Sequence, residues 1–163
     1  MYQTLIAVGA LAITITFALS TQQAQIRVDE QKIHTEVETL AGQVATDMLG
    51  HISIQEFDDR TRDRVVNSPD QLTPASAFPN GRRLSACDDV DDFHRMQTQV
   101  VPVLGGDLTF DVDASVQYVD VDGTPSSSRT YQKEVTVTVI DTPQGGRSVL
   151  PAPIEMREII TWP

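Results

Sequence analysis

The rhythm of apolar and polar positions changes twice along this chain. Residues 1–26 contain no Asp, Glu, Lys, Arg or His, and over residues 5–19 only Gly9, Thr14 and Thr16 interrupt the apolar run. From Arg27 the period becomes helical and one-sided. Ile33, Val37, Leu40, Val44, Met48 and Ile52 recur at spacings of three and four, Ala41, Ala45 and Leu49 widen that face, and Thr35, Glu36, Thr39, Gln43 and Thr46 fall opposite. No proline precedes Pro69, so the pattern predicts one helix through residue 57, apolar all round in its first half and amphipathic in its second. The amphipathic face is the predicted cover for a sheet.

From Gln99 the period is two. Residues 99–104 read as a strand with Pro102 at an edge or bulge. Leu108, Phe110, Val112, Ala114, Val116 and Tyr118 alternate with polar residues, as do Val135, Val137 and Val139 within residues 131–141, and Ile154, Met156, Glu158, Ile160 and Trp162 at the end. Turn residues separate the runs, at 120–129 and 142–146. The expected fold is α+β, a long N-terminal helix packed on a C-terminal antiparallel meander of three to four strands. The expected segments are an apolar helix at 1–26, its amphipathic continuation at 27–57, a connecting loop region at 58–98, and the sheet at 99–163. In that connection, residues 84–87 or 90–96 are the places for a short helical turn.

The first stretch calls for an apolar environment. As a helix, 26 residues reach about 39 Å, against about 30 Å for a bilayer core. Ala10, Thr14 and Ala18 repeat at intervals of four, as do Ala12, Thr16 and Ser20. Two such stripes of small residues let apolar helices approach closely. A competing expectation is a secretory signal cleaved after Ala18-Leu19-Ser20. It is weakened by the lack of a basic residue ahead of Arg27.

Charge narrows the partners. The net charge is −11, with 23 acidic residues against 12 basic ones, and an acidic surface argues against nucleic acid and anionic lipid headgroups. Cys87 is the only cysteine, read as a small buried hydrophobe rather than half of a bridge. No catalytic motif stands out. His34, His51 and His94 are not spaced as metal ligands. Asp88, Asp89, Asp91 and Asp92 lack the ligand spacing of a calcium loop and read as a solvated acidic turn. No catalytic residue, metal or cofactor is therefore predicted.

An apolar helix running into an amphipathic one, followed by an acidic antiparallel sheet, resembles a type IV pilin or related pilin-like filament subunit. The resemblance covers the whole chain and is architectural. The family's acidic residue at the fifth mature position is Leu5 here, with Gln3 and Thr4 the polar residues nearby, and the paired C-terminal cysteines are absent. The resemblance implies a leader removed ahead of Met1 and a subunit held in the inner membrane before assembly. It then joins copies of itself, with assembly machinery, in an extracellular filament. Met1, Tyr2, Gln3, Thr4, Leu5, Ala10, Ala12, Thr14, Thr16, Ala18 and Ser20 become the expected polymerisation helix. Ile33, Val37, Leu40, Val44, Met48 and Ile52 become the expected helix-to-sheet face. The alternative is a single-span or secreted extracellular β-domain that binds a partner as a monomer.

Overall fold

The computed structural model describes residues 2–62, 64–101, 108–142 and 148–162, apart from the side chains at 3–8, 10 and 12. Its elements are a helix α1 over Tyr2–Ser53, a single helical turn α2 over Asp59–Arg62, and strands β1 (Met96–Val100), β2 (Phe110–Tyr118), β3 (Gln132–Asp141) and β4 (Ile154–Thr161). This is the expected α+β arrangement. The chain divides into two compact units, Met1–Val37 and Glu38–Pro163.

In the first unit, α1 exposes most of the apolar side chains described there. Leu11, Ile13, Ile15, Phe17, Leu19, Ile26 and Val28 are all exposed, Ile13 at 71% and Phe17 at 69%. The hydroxyls between them turn back on the helix. Thr16 Oγ1 donates to Ile13 O (2.9 Å), and Ser20 Oγ and Thr21 Oγ1 each donate to Phe17 O (2.8 Å). Among the described residues no helix is long and apolar enough to cross a membrane. The side chains at 3–8, 10 and 12, most of which belong to the apolar run, lie outside that set.

The second unit holds the core. Within it α1 buries Ala41, Ala45, Met48, Leu49 and Ile52, while Leu40 and Val44 are half-buried. Thr46 Oγ1 meets Met156 Sδ of β4 at 3.5 Å, and the His51 ring stands edge-on to Phe93 at 6.0 Å. The buried stripe is therefore centred on the two alanines, whose small size brings the helix backbone close to what it covers. Val37 is buried, but Ile33 is 53% exposed. The expectation that Ile33 packs on the sheet is corrected: it belongs to the first unit, where Ile26 and Val28 before it are exposed too.

The sheet is an antiparallel meander in the order β1-β2-β3-β4. Register pairs Val112 with Val139, Ala114 with Val137, Val116 with Val135 and Tyr118 with Lys133. Because side chains alternate strictly, that register puts the buried members of both strands on one face. Two boundaries differ from the sequence expectation. Strand β1 begins at Met96 instead of Gln99, because Met96 is fully buried opposite Ala114; of the expected strand, residues 102–104 lie outside the described residues. Helix α1 stops at Ser53 instead of 57, because the chain at Glu56 bridges to Asp89 and its carbonyl accepts from Val90 N at 2.9 Å.

The connection expected at 58–98 is built of short turns: α2 and four 3-10 segments, Pro69–Gln71, Ala75–Ala77, Leu84–Ala86 and Val90–Phe93. It contributes Leu72, Phe78, Val90 and Phe93 to the core. Ser68 caps one of these segments and Asp89 another, each accepting a backbone N–H two or three residues on. The region is thus a packed wall rather than a loose loop.

Candidate functional site

Two features carry chemistry, and they lie in different units. The first is the expected polymerisation helix. Tyr2, Thr14, Thr16, Ala18 and Ser20 are exposed on α1. Met1, and the side chains of Gln3, Thr4, Leu5, Ala10 and Ala12, lie outside the described residues. The second feature was not anticipated. Lys133, near the start of β3, is completely buried.

Its position follows from the strand period. Lys133 has the same parity as Val135, Val137 and Val139, so β3 must turn it toward the core. There Nζ lies 2.6 Å from Asp91 Oδ1 and 3.5 Å from Asp58 Oδ2, both carboxylates also buried. Nζ donates to Phe57 O at 2.6 Å. Aromatic rings close the site, with centroids 4.2 Å (Phe57), 5.3 Å (Tyr118) and 5.6 Å (Phe78) from the ammonium.

The two carboxylates are held differently. Asp58 accepts from Thr73 N (2.7 Å), Thr73 Oγ1 (3.0 Å) and Arg60 N (3.0 Å). Burial pulls its pKa upward, but those hydrogen bonds and the Lys133 charge more than offset this, so its carboxyl sits below the usual range. Thr73 O in turn accepts from the Tyr118 hydroxyl at 2.7 Å, and burial pushes that phenol far up, so it stays protonated.

Asp91 has only the amine. Burial pushes its carboxyl up to about 8, and Lys133 only partly offsets this. That amine lies 2.6 Å from Oδ1, and among the described residues no other hydrogen-bond donor reaches either Asp91 oxygen. A buried carboxyl so poorly satisfied is uncommon in a folded protein.

The acidic run is therefore not the solvated turn its composition suggests. Asp89, Asp91 and Asp92 are buried and each faces a different group. Asp89 accepts from Asp59 N and Asp92 N, both at 2.9 Å. Asp92 pairs with Arg82 at 2.7 Å, and burial raises its carboxyl to about 6. Exposed Asp88 pairs with Arg62 at 3.1 Å. Among the described residues no group of three or more His, Cys, Asp or Glu side chains could hold a metal ion.

Cys87 is half-buried, its Sγ against Arg83 O and Asp92 O. Burial and the Asp92 charge push its thiol up to about 11, away from reactivity. His94 accepts from Val116 N through Nδ1 at 3.3 Å, a packing role on β2.

Sequence reasoning missed Lys133, Asp58, Asp91, Thr73 and Tyr118 as a group. For Lys133 the signal was present: extending the valine alternation by one step places it inside. For Asp58 and Asp91 no periodic signal exists, because both come from irregular turns. No protein-family model, curated protein or solved structure matches the chain.

Proposed function

We propose that this chain is a structural subunit that polymerises through its N-terminal helix into an extracellular, pilus-like filament. One observation carries the reading. Over residues 11–28 seven large apolar side chains are exposed on α1. Uncovered apolar surface costs about 25 cal/mol per Å² in water, and isolated soluble proteins rarely expose so much of it contiguously.

The hydroxyls on the same stretch support an apolar surrounding. Thr16, Ser20 and Thr21 satisfy themselves on the backbone of α1, so neighbours need supply no polar partner. Ala18 and Ser20 offer small contacts at which helices approach closely. Transfer from lipid to a bundle of identical helices exchanges one apolar environment for another and adds close-packing contacts. In this reading the inner membrane holds the subunit before assembly, assembly machinery extracts it, and copies of the chain are its lasting partners. The compact second unit supplies the acidic outer surface.

The test is Ala18→Leu in the full-length chain, produced with its assembly machinery. A subunit that packs through the small-residue stripe loses most of its sheared filament yield, while its second unit keeps its stability. Undiminished filaments would remove the stripe as a packing seam. A chain recovered only as a monomer, in membranes or in solution, would favour the monomeric extracellular domain instead.

A further inference from the structure

We propose that Lys133 and Asp91 condense within the folded second unit to form an intramolecular isopeptide bond, with Asp58 as the proton acceptor. The reactants are already together. Nζ is 2.6 Å from Asp91 Oδ1, and Asp58 Oδ2 is 3.5 Å from the same nitrogen. All three side chains are buried at 0–2% exposure. A fixed approach of this kind replaces a bimolecular encounter with an effectively unimolecular step.

The starting charges suit the reaction. A carboxyl raised to about 8 is largely un-ionised at neutral pH and so open to attack at carbon, while Asp58 is held ionised by Thr73 and Arg60. Asp58 takes one proton from the Lys133 ammonium. The freed lone pair adds to Asp91 Cγ, forming the N–C bond as the C=O π pair moves onto oxygen. The carbonyl then re-forms and the C–O bond to the hydroxyl breaks. That hydroxyl takes a second proton from the nitrogen and leaves as water. The nitrogen keeps its last hydrogen as the amide N–H, and Asp58 keeps the proton it took, so no charge stays buried without a partner. No oxidant, reductant or activating co-reactant enters the balance.

The surroundings favour the product. In water an amine and an acid remain apart because their ions are well hydrated. Here Phe57, Phe78 and Tyr118 surround the nitrogen, and hydration is replaced by apolar contact at considerable cost to the ions. The neutral amide removes that cost and releases water to bulk. Phe57 O, which now accepts from Nζ at 2.6 Å, is placed to accept the amide N–H. That Asp91, among the described residues, gathers no donor besides Lys133 also finds an explanation. A carboxylate built only for structure would be expected to gather N–H donors, as Asp58 does.

The experiment is peptide mapping by mass spectrometry of the full-length chain, denatured after prolonged incubation folded at neutral pH. The expected result is a branched peptide that joins the segment holding Asp91 to the segment holding Lys133, lighter than the two together by one water. Lys133→Met and Asp91→Ala should each yield only unbranched peptides at full sequence mass. Asp58→Asn should slow formation of the branched peptide at least tenfold. Separate, full-mass peptides from the wild-type chain would overturn the proposal without reference to any variant. Equal rates in wild type and Asp58→Asn would overturn the role given to Asp58.

Discussion

Ala18 and Ala45 lie on the same helix α1, in the same type of backbone, and meet opposite fates. Ala18 is exposed among exposed apolar neighbours. Ala45 is completely buried, one turn from buried Ala41 and Leu49. Local helical structure is common to both, so it cannot be what makes one region self-sufficient. The second unit satisfies its apolar surface with its own strands and turns, and encloses a lysine and two aspartates as well. In the first unit Thr16, Ser20 and Thr21 bond to the helix backbone, while the large apolar side chains described from Leu11 to Ile33 stay exposed. Stability resides in the second unit, and the proposed association in the first.

The change expected to have the largest effect is Lys133→Met. It leaves Asp58 and Asp91 buried without their cation, a loss of about 3–5 kcal/mol for a broken buried pair, with more if a covalent loop is lost too. Chemical denaturation of the second unit checks this; a change near zero would make the cluster incidental to the fold. Ala45→Leu comes next. Adding three carbons where the alanine is fully enclosed costs about 1–3 kcal/mol by overpacking. The same substitution at Ala18 should leave the denaturation midpoint of the second unit unmoved. Equal effects at the two alanines would erase the distinction between the regions.

A smaller effect is expected at Asp141. It is buried at the end of β3 and accepts from Ser148 Oγ at 2.6 Å and from Val149 N. Burial raises its pKa, but these bonds outweigh burial and lower it overall. A carboxyl whose folded pKa lies below its unfolded value of 3.8 adds stability above that pH. The contribution disappears as pH falls through the folded value. Asp141→Asn should therefore cost about 1–2 kcal/mol at neutral pH and nearly nothing in strong acid. A cost independent of pH would assign Asp141 a role in shape alone. The smallest effect belongs to Ile33→Gln, expected within about 0.5 kcal/mol because Ile33 is exposed in the isolated chain. A large loss would mean that Ile33 is covered after all.

How much of this was legible depended on period. The valines of β3 and the alternation of β2 declared a half-buried sheet, and the three-four spacing from Val37 to Ile52 declared the helix face. Ile33 continued that spacing beyond the point where the second unit begins, because periodicity records a face and not what covers it. Met96 was missed as a strand residue because only its pairing with Ala114 distinguishes it from the turns before it. The wall formed by residues 58–95 has no period, and its order comes from caps such as Asp89 and from tertiary contacts such as Thr73 with Asp58. Composition misled at Asp89, Asp91 and Asp92. Carboxylates in a run read as solvated until partners distant in sequence, above all Lys133, are seen to meet them.

In the proposed reading, the first unit is an association surface completed by other copies of the same chain. It is tested most directly by shearing cell-surface material from the native source, pelleting it, and mapping the N-terminal peptides and the environment of Phe17 by helical reconstruction. The expected result is a polymer that retains residues 1–26, with Phe17 and Ile13 enclosed by the same helix from neighbouring subunits. A soluble chain beginning at Thr21, or a polymer in which those side chains remain uncovered, would contradict it.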